Sequence, residues 1–108
     1  MKDDHPKTEM ADVARRMLDG ELHPFEGVRK LSDLSRRLPV GEDLVAVIRT
    51  LQGIDSEIDD LPLGEARSAW ANDALAAKDR ERDQYLERTR SEIEDACRTI
   101  LSHWSDAQ

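Results

Sequence analysis

The C-terminal part of the chain has the sequence LERTRSEIEDACRTILSHW over residues 86–104. Its apolar and small side chains recur every three or four residues, which is the spacing of one face of an α-helix. The positions on this face are Leu86, Thr89, Ile93, Ala96, Cys97, Ile100, Leu101 and Trp104. Residues 78–84, which precede it, are charged or polar and offer little to bury. The sequence therefore predicts one long helix from about Asn72 to Trp104, packed mainly beyond Leu86.

Two shorter amphipathic helices are predicted at the start of the chain. For the first helix, we expect Thr8 to cap the N-terminus and Gly20 to end the helix. The second helix is expected to begin at Pro24, where the missing amide hydrogen costs nothing, and to run to Leu38 before Pro39 stops it. The apolar residues of these helices are Met10, Val13, Ala14, Met17 and Leu18, then Phe25, Val28, Leu31 and Leu34.

A third short helix is predicted after Gly41, and Gly53 is expected to end it in a left-handed conformation, with Ile54 folding back on the last turn. Its apolar face is formed by Leu44, Val47, Ile48 and Leu51. A further short helix is expected over residues 65–71. The sequence thus predicts an all-α fold, a small helical bundle with a long C-terminal helix, in which residues 8–105 form one domain and residues 1–7 a flexible tail.

The composition limits the classes of partner. The 108 residues carry a net charge of −8, with 37% charged, 38% hydrophobic and only 4% aromatic residues. This charge would repel nucleic acid and an anionic membrane and suits a basic protein partner better. The longest apolar run, Leu44 to Ile48, is too short to span a bilayer, and the N-terminus does not have the apolar stretch of a secretory signal. We therefore expect a soluble protein. The single cysteine, Cys97, excludes an intramolecular disulfide, so we expect a cytoplasmic setting.

The middle of the chain carries a concentration of carboxylates. Asp55-x-Glu57-x-Asp59 has the spacing of the first three ligands of a calcium loop. The sixth and twelfth positions of such a loop are Asp60 and Ala66 here, however, where a glycine and a glutamate are needed. The sequence therefore predicts no metal site. Ser56 with Asp59 fits a helix-capping pair better.

The same segment is the predicted partner-binding site. We expect its acidic side chains to face a basic partner, Arg67 to be oriented by one of them, and Trp70 to serve as an anchor. The predicted site consists of Asp55, Glu57, Asp59, Asp60, Arg67 and Trp70. The chain has only one Phe and one Tyr, however, so its two tryptophans are needed in the core. Packing of Trp70 and Trp104 inside the protein is therefore the stronger expectation.

Other residues that could carry chemistry have simpler interpretations. Cys97 lies on the apolar face of the long helix and is expected to be buried and inert. His23, directly before a helix-opening proline, is expected to cap that helix, and no two histidines have metal-ligand spacing. The sequence contains none of the common phosphate-binding, hydrolase or metalloprotease motifs. No cofactor, metal or catalytic residue is predicted.

One further pattern consists of Ile54-Asp55-Ser56-Glu57, Asp59, Leu61-Pro62, Gly64-Glu65, Arg67, Trp70, Ala74-Leu75 and Lys78-Asp79. Together with Ala14-Arg15-Arg16-Met17-Leu18 and Gly20-Glu21, it resembles a family of small uncharacterised bacterial helical proteins. The resemblance covers about half of the chain and implies a bacterial cytoplasmic setting, but no activity. The family often has Thr and His where this chain has Ile58 and Asp60.

The sequence favours a non-enzymatic protein-binding module, such as a small inhibitor or immunity-type protein that covers a basic active site. Two alternatives stay open at this stage. One is a small metal-dependent hydrolase that uses the carboxylates of Asp55, Glu57 and Asp59. The other is a structural homodimer formed through the long C-terminal helix.

Overall fold

The described residues form four α-helices and one short 3₁₀-helix. The computed structural model describes residues 5–37 and 41–105, and of residues 5–7, 42, 43, 64, 65, 104 and 105 the backbone alone. The α-helices are α1 (His5–Leu18), α2 (Pro24–Ser35), α3 (Glu42–Glu57) and α4 (Asn72–Ser105), and the 3₁₀-helix spans Gly64–Ala69. The described ranges contain no β-strand. The predicted all-α bundle with a long C-terminal helix is thus confirmed.

A single hydrophobic core joins the four α-helices. Helix α1 packs against α4 and α2, α3 packs against α2 and α4, and α2 contacts all three of the others. The bulkiest of the fully buried side chains are Phe25, Met10, Leu31, Leu44 and Leu51. The molecule measures 46 × 27 × 23 Å, and its long dimension matches a helix of 34 residues, α4, at about 1.5 Å per residue. None of the helices within the described ranges is long and apolar enough to cross a membrane.

Helix α1 ends as the sequence predicts. Gly20 has a φ of 80°, its amide donates to the Met17 carbonyl at 3.3 Å, and the Glu21 amide donates to the Arg16 carbonyl at 2.9 Å. These two bonds form the Schellman motif, which requires a left-handed residue that only glycine adopts at little cost. The predicted N-cap is wrong, because α1 already begins at His5 and Thr8 lies inside it. The other residues of the predicted tail, 1–4, lie outside the described residues.

Helix α2 begins at Pro24, as predicted, but it ends at Ser35, earlier than the predicted Leu38. The Arg36 amide donates to the carbonyl of Asp33 at 3.3 Å, and the Arg37 amide to that of Leu34 at 3.0 Å, so the chain tightens into a turn here. Leu38 and Pro39, the predicted last residue and stop signal, lie outside the described residues.

The prediction that Gly53 ends the third helix is wrong. Gly53 keeps a helical backbone, and α3 continues to Glu57. The reason is burial: Leu51, Ile54 and Ile58 all lie in the core at helical spacing. Burying one such side chain contributes about 1.5–3 kcal/mol, whereas a glycine in a helix costs about 1 kcal/mol relative to alanine. Tertiary packing therefore overrides the local signal.

Helix α4 has two unlike halves. No side chain from Asn72 to Tyr85 is fully buried, whereas Leu86, Thr89, Ile93, Ala96, Cys97 and Ile100 line the core. The prediction that this helix packs mainly beyond Leu86 is confirmed. Its N-terminal half is contacted instead by the segment that connects it to α3, and this contact positions the candidate site.

Ser32 provides a test of the core. Its Oγ atom is buried with no hydrogen-bond partner among the described residues. An unsatisfied buried hydroxyl carries a desolvation penalty, so Ser32→Ala should raise the unfolding free energy by about 1 kcal/mol in urea denaturation. Ser35→Ala is the matched control and should lower it by about 1 kcal/mol, because Ser35 Oγ donates to the Ser32 carbonyl and accepts from Gln52 Nε2. A loss of stability in Ser32→Ala would contradict the prediction.

Candidate functional site

The acidic residues of the predicted site lie at the end of α3 and in the turn that follows. We call residues 55–60 the acidic turn. Asp55, Ser56 and Glu57 belong to the last turn of α3, and Asp59 and Asp60 follow it. The predicted capping role of Ser56 is wrong, because Ser56 lies in the last turn of α3 and not at the start of a helix. Its carbonyl accepts a hydrogen bond from the Asp59 amide at 3.4 Å.

Asp55 is directed into the protein. Its Oδ1 atom accepts a hydrogen bond from Arg29 Nε at 3.2 Å, and its side chain is only 17% exposed. Arg29 Nη2 also donates to the Ile58 carbonyl at 3.2 Å, so one guanidinium holds both the carboxylate and the C-terminal end of α3. This ion pair ties α3 to α2 and fixes the direction in which the acidic turn leaves the bundle.

The other three carboxylates face outward. Glu57 and Asp59 are exposed, and the structure gives neither an ion pair within the described ranges. Asp60 Oδ2 accepts a hydrogen bond from Lys78 Nζ on α4 at 3.0 Å, although its side chain is 68% exposed. This bond lowers the pKa of Asp60 and raises that of Lys78. Lys78 Nζ lies 3.5 Å from Glu81 Oε2 as well, so a single ammonium group lies between two carboxylates.

Arg67 is not oriented by the acidic turn, and that prediction is wrong. Its guanidinium makes a two-point contact with Asp79 on α4, with Nη1 to Oδ1 at 2.7 Å and Nη2 to Oδ2 at 3.0 Å. Arg82 lies 3.5 Å from the same carboxylate, as the three-residue spacing on α4 predicts. The hydrogen bond from Arg67 lowers the pKa of Asp79. The 3₁₀-helix that carries Arg67 is thus attached to Asp79 of α4 and not to a carboxylate of the turn.

These ion pairs attach a connecting segment to the N-terminal half of α4. The crossing segment, residues 61–70, starts with the buried residues Leu61 and Pro62 and contains the 3₁₀-helix. Lys78 of α4 binds Asp60, the residue just before the crossing segment, and Asp79 of α4 binds Arg67 within the segment. The burial of Leu61 and Pro62 fixes the start of the crossing segment, and the bidentate ion pair of Arg67 with Asp79 fixes its 3₁₀-helix. The acidic turn therefore has a defined position relative to α4.

Trp70 ends the crossing segment in an extended conformation, with φ of −103° and ψ of 145°. It is 36% exposed and is the exposed large hydrophobic residue of the described ranges. The expectation that Trp70 packs inside the protein is therefore wrong, whereas its predicted role as a partner anchor is compatible with this position. The side chain of Trp104 lies outside the described residues.

An open groove separates the acidic turn from α4. Its volume is about 260 Å³, and it is lined by Glu57, Asp60, Leu61, Glu81, Gln84, Tyr85 and Arg88. The Arg88 guanidinium lies 5.5 Å from the centre of the Tyr85 ring, a cation–π contact. Partial burial and the nearby Glu57 carboxylate raise the pKa of Tyr85. The groove thus combines three carboxylates, one guanidinium and one aromatic ring.

The sequence-based prediction missed the α4 wall of this groove. Glu81 and Gln84 belong to the charged or polar stretch over residues 78–84, which offers little to bury, and Tyr85 and Arg88 follow it. The available signal was their three- and four-residue spacing, which places them along one side of a helix. That spacing alone does not reveal that the acidic turn lies opposite.

No described set of three His, Cys, Asp or Glu side chains could hold a metal ion. The Asp55-x-Glu57-x-Asp59 carboxylates of the alternative hydrolase therefore do not converge on a common point.

Cys97 is buried and packs beside Met17, with 3.7 Å between the two sulfur atoms. Burial raises the pKa of Cys97 to about 12, so its thiol stays protonated near neutral pH, as expected for an inert cysteine.

His23 caps α2, as the sequence predicts, and gives the stability a pH dependence. Its Nδ1 atom accepts a hydrogen bond from the Phe25 amide at 3.1 Å, which requires the unprotonated nitrogen. Burial and then the nearby Arg82 lower the pKa of His23 below its ordinary value of 6.5, against the smaller effects of Glu26 and Asp83. The unfolded chain therefore binds the proton first, and the unfolding free energy should fall as the pH falls below about 6.5.

The measurement is urea denaturation between about pH 8 and about pH 5, for the wild type and for His23→Asn. Asparagine keeps an oxygen acceptor at the cap but does not titrate. The difference in unfolding free energy between the two proteins should therefore move against the wild type on acidification. Parallel pH profiles would contradict a depressed pKa at His23.

No family model, no curated protein and no solved structure matches this chain. The resemblance to small bacterial helical proteins therefore stays a prediction, and the candidate site has to be interpreted from its own geometry.

Proposed function

We propose that the chain is a non-enzymatic protein-binding module, of the small inhibitor or immunity type, that covers a basic site on another protein. The observation that carries this proposal is the outward-facing acidic turn. Glu57 and Asp59 are exposed beside the groove, whereas Asp55 and Asp60 are held by cations of the protein itself. The proposal includes a bacterial cytoplasmic setting, in keeping with the sequence resemblance and the single cysteine.

Two physical arguments support an acidic docking surface. A net charge of −8 on 108 residues accelerates encounter with a cationic partner, and exposed carboxylates near the contact give specificity. The ion pairs of Asp55 and Arg67 fix the turn and the crossing segment before binding, so less ordering entropy is lost on association. Trp70, large and partly exposed, is the side chain best suited to serve as an anchor.

Affinity capture of the partner from the native cell tests the proposal. The wild type is compared with the double variant Glu57→Lys/Asp59→Lys, which reverses the charge of the turn. The control Asp12→Lys/Asp19→Lys makes the same change in charge at exposed positions on or directly after α1. We expect the turn variant to lose about tenfold or more in affinity for the captured partner and the control to lose much less.

Two results would contradict this function. One is a captured partner that binds the turn variant as tightly as the wild type. The other is an equal loss in both variants, since that would indicate general attraction to a negative protein without a specific docking surface. In either case the acidic turn is not the binding site.

A further inference from the structure

One side of α4 is exposed next to the groove. Ala74, Ala77, Glu81, Gln84 and Arg88 are all exposed and follow one another at intervals of three and four residues. This spacing places them in one line along the helix, over about 21 Å at 1.5 Å per residue. The last three of them form the α4 wall of the groove. The line is therefore one continuous surface that begins two turns before the groove and then runs along it.

The chemistry changes along this line. Its N-terminal end has only the methyl groups of Ala74 and Ala77, and the partly exposed Trp70 lies two residues before the start of the helix. Small side chains let a second helix approach closely, because the distance between helix axes depends on the side chains at the contact. Its other end, with Glu81, Gln84 and Arg88, lies across the groove from Glu57 and Asp60, so three carboxylates outnumber the Arg88 guanidinium there. A ligand that fits both ends is apolar at one end and cationic at the other.

Two of the three carboxylates that line the groove already bind a cation of α4. Lys78 Nζ lies between Asp60 and Glu81, at 3.0 and 3.5 Å. Of the three carboxylates that line the groove, Glu57 is the one for which the described residues supply no ion pair. A guanidinium or ammonium group from outside would therefore find its counterion at Glu57.

We propose that this face of α4 and the groove bind an amphipathic, cationic helix of the partner protein. The helix packs small or apolar residues on Ala74 and Ala77 and places an arginine or lysine at Glu57. This inference rests on the proposed function and names the structural element that the partner presents. Recognition of a helix laid in a groove uses residues at such three- and four-residue spacings.

A second copy of this chain is a poorer occupant. It would bring another net charge of −8 to the contact. A helix contact about 21 Å long and about 10 Å wide also covers far less than the roughly 800 Å² per partner that a stable dimer buries. Neither objection applies to a single cationic helix, because its charge is complementary and it needs only this line and the groove.

The test uses a synthetic amphipathic peptide of about 18 residues, with Leu and Ala on one face and Arg beside it, and a scrambled peptide of the same composition. Titration calorimetry measures both peptides on the full chain, and amide chemical shifts locate the contact. We expect the helical peptide to bind about tenfold more tightly than the scrambled one, with shifts concentrated around residues 57, 74, 77, 81 and 84.

Two pairs of variants make the test specific. Ala77→Arg places bulk and charge on the line, and Ala76→Arg makes the same change at an exposed position of α4 outside the line. Glu57→Gln removes a groove carboxylate, and Glu87→Gln makes the same change at an exposed carboxylate of α4 that does not line the groove. The first member of each pair should weaken binding of the helical peptide by about fivefold or more, and the second by less than about twofold.

Calorimetry overturns the inference if neither peptide binds, or if the helical and the scrambled peptide bind equally tightly. It is also overturned if the two variants of each pair weaken binding equally, or if the amide chemical shifts change only on another acidic surface. Light scattering that shows a dimer, lost in Ala77→Arg, would assign the face to a second copy instead. The proposed function fails separately, in the capture experiment. A native partner that depends on Glu57 and Asp59 but tolerates Ala77→Arg would leave that function standing and refute only the helical occupant.

Discussion

Gly27→Val is expected to lower the unfolding free energy by about 2–3 kcal/mol in urea denaturation. Gly27 is a buried residue in the first turn of α2, where glycine is an unfavourable helix former. The structure explains why glycine is needed: a Cβ atom at this position would collide with Cγ and Sδ of Met17 on α1. Met17 is itself buried and packs against Cys97 of α4, so its side chain has little freedom to retreat.

Gly53→Ala provides the control for this prediction. Gly53 is also inside a helix, but it is exposed, and a Cβ atom there would meet no atom within 4 Å. Alanine should therefore stabilise α3 by about 0.5–1 kcal/mol through helix propensity alone. In the double variant Gly27→Val/Met17→Ala, the space vacated by Met17 should make the combined loss smaller than the sum of the single losses. Additive losses would show that the contact with Met17 is not the cause.

The two glycines illustrate what the sequence could and could not predict about the fold. Helical spacing of apolar residues was sufficient to predict the four α-helices, since each buries one face against the others. The boundaries depended on contacts that are remote in sequence. Gly53 has the local signal of a helix end, but Ile54 and Ile58 gain more from burial than the glycine costs. Gly20 has the same local signal and does end its helix.

The candidate site was predictable in its acidic residues but not in their arrangement. The concentration of carboxylates from Asp55 to Asp60 is visible in the sequence. Which cation pairs with which carboxylate depends on the path of the crossing segment, and local spacing in the sequence does not reveal that path. Arg67 therefore meets Asp79, twelve residues away, instead of a carboxylate of the turn. Trp70 was expected inside because the chain has only one Phe and one Tyr to fill its core. The segment that carries it is instead attached to the surface of α4 by that same ion pair.

Phe25→Ala is expected to have the largest effect of the single substitutions that test stability, a loss of about 3–5 kcal/mol in unfolding free energy. Phe25 is fully buried near the start of α2. Its ring centre lies 5.7 Å from that of Tyr85 and 5.7 Å from that of His23, both in tilted arrangements. Removal of the ring leaves a cavity beneath two further aromatic residues, and one of them, Tyr85, is a wall of the groove. A loss of stability here should therefore be accompanied by weaker binding of a cationic helix.

Trp70→Ala is the comparison that separates a core aromatic residue from a surface one. Because part of the Trp70 ring is in solvent in the folded state, its removal should cost only about 1 kcal/mol of unfolding free energy. It should nevertheless weaken partner binding, because an aromatic anchor contributes most where it becomes desolvated in a complex. Urea denaturation of both variants at one pH, with the peptide titration on each, measures the two effects separately. A stability loss in Trp70→Ala as large as that in Phe25→Ala would mean that the tryptophan packs inside the bundle, and the anchor would then have to be sought elsewhere on the acidic face.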